Sequence, residues 1–441
     1  MLRTTTMALV MTTALISCAP KPAADSDAQL RAALVASAGA PHPVAIDREL
    51  MIVSPRVVDD ARATSGVWSF GHLMTQMATK DTEAPALVKA WLRTWEQDQR
   101  VNDVPLAKRP SIRSVIIDAW MKKDKATSFD KWTPNLKNAP FRLLAIVYRP
   151  DLARRSGAKA ILNGGEGRFV FEALGSGGQP LPFTVIFEYG LPAKTNGDIT
   201  AWAQRWHTLG EVPFGPAYNT ALQKVTDSFS KRGSDPAKPN GNALNQLRTN
   251  EIALTAPWEL REFHLTTAGL TNVVVQQNPH KAVDQGKLSA LLNANAATVL
   301  QGRFILAEGF ADGTPILGGS AEVPFGFSWP KMQISDNNVR QKFAVDTCNG
   351  CHHVETGGKP DPGGFRHIGS RKVGAAAGLS GFLTGTTVQD PVDPATPRRF
   401  ADLDERRKAL EQALVVQTRV TATTLEDDQL TVALSRTSRP D

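Results

Sequence analysis

RFVFEA (168–173) and FTVIFEY (183–189) flank the short segment GSGGQP (175–180). Both runs are rich in aromatic and β-branched residues, which suit the pleated surface of a strand. The Gly/Pro-rich segment between them is a turn, so the three together predict a β-hairpin. Just upstream, RLLAIVY (142–148) is another apolar run of strand length. Further upstream, Leu87, Trp91 and Trp95 recur at four-residue spacing, and 87–95 reads as a helix. The stretch 111–121, with Val115, Ile116 and Trp120, reads likewise. Downstream, 199–209 and 217–229 return to helical spacing. Residues 251–254, 262–266 and 318–329 read as strands, and 288–300 as a helix. Strands and helices mingle without a regular βαβ rhythm, which points to α+β.

The expected organisation is a large mixed α+β region over 45–335 followed by a small, mainly helical segment over 336–416. The break falls at Pro330 and Ser335-Asp336-Asn337-Asn338. A helix over 338–344, a linker at 388–397 and an amphipathic helix over 399–415 fill the second part, and a polar tail occupies 417–441. The 441 residues are 41% hydrophobic and 21% charged, which excludes wholesale disorder and a multi-span membrane chain. Fifty basic residues stand against 43 acidic ones, a net charge of +7 without long basic runs, so nucleic acid is not an expected partner.

The first residues read as an export signal. Arg3 supplies a positive start, and Met7–Ile16 is apolar but far short of the about 20 residues that span a bilayer. The end of this stretch, Leu15-Ile16-Ser17-Cys18, resembles the lipobox of bacterial lipoproteins. That resemblance implies a signal peptide over 1–17, lipidation at Cys18 and a flexible tether over 18–44. With Ala19 after the cysteine, it implies an outer-membrane anchor in the cell envelope, on the periplasmic face or the cell surface. An ordinary cleaved signal with a coincidental cysteine is the alternative.

The other two of the three cysteines lie in Thr347-Cys348-Asn349-Gly350-Cys351-His352-His353. C-x-x-C-H is the attachment motif of c-type haem. Two thiols three residues apart bond the two vinyl groups of one porphyrin, and the adjacent imidazole becomes the proximal iron ligand. Cys348, Cys351 and His352 are therefore the expected sites for one covalent haem c. The last methionine, Met332, lies upstream, so His367 is the first candidate for the sixth ligand and Met332 the second. Arg366, Arg371 and Lys372 are candidate partners for haem propionates. Three other readings compete: a Cys₂His₂ zinc site of Cys348, Cys351, His352 or His353, and His367, a redox disulfide, and a local structural disulfide.

Residues 45–330 carry no G-x-S-x-G and no H-E-x-x-H, and Gly164–Gly167 precedes a strand instead of opening a helix. Glu188, Glu251, Glu259 and Glu262, with Arg142, Arg168, Arg248 and Arg261, lie in or beside strand-like runs. A buried ion-pair network is the expected reading, ahead of acid–base catalysis. The Trp91/Trp95 and Trp202/Trp206 pairs are expected in the core.

Taken with FRLLAIVYRPDL (141–152), GEGRFVFEA (165–173), QLRTNEIALTAPWELREF (246–263) and FAVDTCNGCHHVETG (343–357), the chain resembles a set of uncharacterised bacterial envelope lipoproteins with a C-terminal C-x-x-C-H. The resemblance implies that the front part and the motif form one architecture; it supplies no activity. Similarity to cytochromes c covers only the motif and its leading helix. The expected function is mono-haem electron transfer in the envelope, with a redox partner protein. The alternatives are a non-redox binding or structural lipoprotein with a zinc or disulfide cysteine pair, and a haem enzyme of peroxidase type should the sixth iron position be open.

Overall fold

The computed structural model describes residues 42–154, 163–323, 328–358 and 366–420. Cys18, its signal segment and residues 421–441 of the expected tail lie outside them. The described residues from His42 onward belong to one compact unit.

The frame is an antiparallel sheet of eight strands. They are β1 (Met51–Ile52), β2 (Phe141–Arg149), β3 (Asn163–Leu174), β4 (Pro180–Pro192), β5 (Leu244–Asn250), β6 (Trp258–Thr266), β7 (Gly269–Val273) and β8 (Ser320–Val323). The order is β1-β2-β3-β4-β5-β6-β8, with β7 also pairing β6. The expected hairpin is β3–β4, in which Phe169 faces Phe187 and Arg168 faces Glu188.

Strand alternation sorts the side chains by face. Phe169, Phe171, Val185, Phe187, Leu247 and Phe263 all enter the largest apolar cluster. Helices that contribute to that cluster include α1 (Phe70–Met77), α2 (Ala84–Arg93), α3 (Asn196–His207) and α4 (Pro216–Ser230). All four tryptophans of the two i, i+4 pairs are buried here, and Trp91 meets Trp95 edge-on at 5.0 Å. Both pairs are core residues, as expected.

The opposite face carries Arg168, Glu188, Arg248 and Glu262, each fully buried or nearly so. Arg248 Nη2 donates to Glu262 at 2.8 Å, and Glu188 lies 3.5 Å from Arg168 and 3.4 Å from Arg248. Arg261 donates to Glu259, Arg109 pairs with Glu251, and Arg142 pairs with Glu172. The expected ion-pair network is present.

One expectation is shown in part and two need correction. The segment from 336 on carries helices, as expected, together with a short β-ladder, and it packs on the sheet. Its helices α5 (Asn337–Val345), α6 (Cys348–Cys351) and α7 (Asp402–Val420) are joined by a two-stranded ladder of Thr386–Val388 with Arg398–Phe400. Val345, Cys351, Ile368, Phe382 and Leu403 pack on Leu144, Ala145, Val147, Val170 and Ile186 of the sheet. Apolar residues on this second face must be covered, and the C-terminal part covers them. Residues 252–254 are a 3₁₀ turn, and the strand expected there is β5, a few residues earlier. Residues 398–400 are a strand, with the helix starting at Asp402 and running to Val420. Among the described residues no helix is long and apolar enough to cross a membrane.

Candidate cysteine–histidine centre

α5 ends at Val345, and Thr347 restarts the chain as the N-cap of α6. Its hydroxyl accepts from the Gly350 N–H at 3.1 Å, the usual way a cap satisfies an orphan donor. A Cβ at Gly350 would collide with the Ala344 carbonyl oxygen. A residue without a side chain between the thiols is therefore what lets α6 fold back against α5. Asn349 anchors the outer side, its backbone N–H donating to Asn278 Oδ1 and its side-chain Oδ1 accepting from the Trp329 indole.

Both thiols are buried, in different surroundings. Cys348 joins Trp258, Leu260, Val275, Ala321 and Val323. Burial pushes its pKa up to about 12, and nearby Glu262 and Glu188 add to this while Arg248 opposes it. Cys351 joins Val345, Ile368, Phe382 and Leu383. The His352 ring stacks on Trp258 with centroids 4.6 Å apart.

His367, far along the chain, is brought into the same place. Its Nε2 lies 3.4 Å from Cys351 Sγ, and its ring centroid is 4.9 Å from that of His352. Its Nδ1 meets Ser380 Oγ at 3.2 Å, the Ser380 N–H donates to the His367 carbonyl, and Phe382 packs on the ring at 4.8 Å. Both ring nitrogens thus have fixed partners, which sets the ring's direction. Val345 and Phe382 also line a cavity of about 610 Å³ with Arg398, Arg399 and Phe400.

The remaining sequence candidates separate. Met332 packs with Trp329, Val339 and Phe343 in another cluster. Arg371 is buried and committed to Asp59 at 2.7 Å and to the Leu143 and Val58 carbonyls, which rules it out as a propionate partner in this arrangement. Arg366 is half-buried and donates to Ser370 Oγ at 2.9 Å, with no carboxylate in ion-pair range among the described residues. Lys372 is exposed. Ser380, Trp258 and Phe382 carry no motif and emerge only from the packing.

No family model, curated protein or solved structure matches this chain.

A buried charge cluster holds α5, and with it α6, in position. Arg340 donates to Glu355 and, at 3.0 Å, to Asp390, while Arg398 donates to the other Asp390 oxygen at 2.8 Å. Burial works against the Asp390 anion. The Val392 and Asp393 N–H groups, Arg398 and Asn337 outweigh it and hold the carboxyl down at about 2. The folded pKa is below the ordinary value of 3.8, so this stabilisation is present above pH 4 and fades as pH falls toward 2. Asp390→Asn is expected to lower the urea midpoint at pH 7 and to flatten the fall in stability between pH 4 and 2. Equal acid slopes in the two proteins would contradict this.

Proposed function

We propose that this chain is a lipid-anchored, mono-haem c-type protein that passes electrons to a partner protein in the bacterial cell envelope. One observation carries the reading. Cys351, His352 and His367, the last fifteen residues further along the chain, meet at one buried place, with Cys348 one helical turn away. The residues present suit the group. Two thiols sit on one helical turn that Gly350 permits, one imidazole follows at once, and a second is oriented by Ser380. The walls are apolar, with Trp258, Val345, Ile368 and Phe382 around them.

Cys348 and Cys351 would hold the porphyrin, and His352 and His367 would ligate its iron. When bound, the haem supplies a one-electron iron couple whose potential is set by those ligands, by burial and by nearby charge. The chain's own contribution is orientation and exclusion of water. Trp258 fixes the His352 plane, Ser380 fixes His367, and the buried Arg248–Glu262 pair sets the local field. Arg366 remains the propionate partner in this reading. The cavity beside Val345 and Phe382 is the side from which a redox partner approaches.

The second imidazole favours electron transfer over peroxide chemistry, which needs an open iron position. It also bears on the zinc alternative. Among the described residues, no three of the four cysteine and histidine ligand atoms gather within 4.8 Å of one another.

The test is a visible spectrum of the protein matured in a host that attaches c-type haem. A low-spin spectrum is expected. His367→Ala is expected to convert it to high-spin and to raise carbon monoxide affinity. An unchanged spectrum would remove His367 from the iron. A colourless protein carrying one zinc, or one with oxidised cysteines, would remove the haem reading altogether.

A further inference from the structure

His42, Glu49 and His207 converge where the described chain begins. His42 precedes the helical turn Ile46–Glu49, and His207 is the last residue of α3. Glu49 is fully buried and His207 nearly so. His207 Nδ1 lies 2.8 Å from Glu49 Oε2, and His42 Nδ1 lies 3.8 Å from Oε1. The two rings stack with centroids 3.9 Å apart. A Cβ at Gly210 would collide with the Glu49 carboxylate and the His42 ring, so a glycine is what gives the three side chains their space. His207 Nε2 is buried and meets no hydrogen-bond partner among the described residues.

We propose that His42, Glu49 and His207 bind a divalent cation, zinc, and so clip the segment around His42 to the end of α3. The three side chains each bring one ligand atom to within 4.8 Å of the others. The 2.8 Å between His207 Nδ1 and Glu49 Oε2 opens to the roughly 3.4 Å between neighbouring ligands on a tetrahedral zinc, with bonds near 2.1 Å, by a small side-chain shift. Two imidazoles and one carboxylate form a zinc donor set that leaves a fourth position for water. The site stands at the end of the expected lipid tether, where a clip keeps the chain from peeling away from α3.

The experiment uses the full haem-loaded chain, stripped with EDTA and titrated with zinc chloride. One equivalent is expected to bind, to raise the melting temperature, and to show only nitrogen and oxygen neighbours in X-ray absorption. His42→Gln, a change at a partly exposed residue, and Glu49→Gln are each expected to lose that equivalent and the melting shift. No bound zinc, full binding by a folded His42→Gln, or a sulfur neighbour placing the metal at the cysteine pair would each overturn the proposal. The haem spectrum is read separately, so loss of the clip and loss of the haem reading are distinct results.

Discussion

Changing Cys348 and Cys351 together to serine is expected to remove all covalent pigment from the protein. Under the proposed reading, wild-type chain matured in the periplasm is expected to give a peroxidase-stained gel band at its own mass, because thioether bonds survive denaturation. Each single change leaves one thiol to bond one vinyl group and so weakens the band, and the double change abolishes it. The two residues are not equivalent. Burial holds the Cys348 thiol at a pKa of about 12, among Trp258, Leu260 and Val323, whereas Cys351 Sγ faces His367 Nε2 at 3.4 Å. The thiolate is the usual nucleophile of cysteine, so Cys351 is the thiol with a base at hand and Cys348→Ser is the milder single change. Staining of equal strength in the wild type and the double variant would end the covalent haem reading.

The second large effect is on stability. Arg248→Met is expected to destabilise the fold by about 3–5 kcal/mol, the usual result of removing one partner from a buried ion pair. Arg248 lies between Glu188 and Glu262 on the covered face of the sheet, and all three are buried. Burial works against the Glu262 anion, but Arg248 and His264 outweigh it and hold its carboxyl below the usual range. Burial pushes the Glu188 carboxyl up to about 7, against the pull of Arg168 and Arg248. The signs of the two carboxyls differ. Glu262 stabilises the fold above its ordinary pKa. Glu188, raised in the fold, subtracts stability as pH climbs from about 4.5 to about 7. In Arg248→Met, Glu262 keeps only the half-exposed His264 and Glu188 loses one of two cations. The urea midpoint should therefore fall most at neutral pH and less at pH 5. A triple change with Glu188→Gln and Glu262→Gln should recover part of the loss, because no bare charge remains buried. A stability within about 1 kcal/mol of wild type for Arg248→Met alone would show that the pair is not buried in solution.

Much of the fold is legible in short stretches. The β3–β4 hairpin is announced by aromatic and β-branched runs around a Gly/Pro turn, and the tryptophans at four-residue spacing announce helices that bury them. β5 is not announced. Its sequence LNQLRTN carries Gln246, Arg248 and Asn250 on one face, which reads as solvent-facing. That face is buried, with each polar group paired. A strand whose buried face is polar lacks the apolar signal that sequence patterns rely on. The neighbouring IAL segment supplied that signal and belongs to a 3₁₀ turn. The Glu49–His207 pair is equally silent, since its members stand far apart in the chain and form no motif.

The sequence by itself determined the local chemistry of this protein. Cys348, Cys351 and His352 are brought onto one helical turn by spacing alone, since a turn places residues three and four apart on one side. It also determined that many buried-looking segments carry arginine and glutamate, which must pair in pairs or networks wherever they are buried. Only the tertiary structure decided which partners meet: that His367 lies on Cys351 and Met332 does not, that Arg371 is spent on Asp59, that His42 reaches His207, and that the C-terminal part covers the sheet. The reason is physical. Spacing along the chain constrains neighbours within a turn, whereas contacts between distant segments follow from which apolar faces must be covered together, and that is a property of the whole packed sheet.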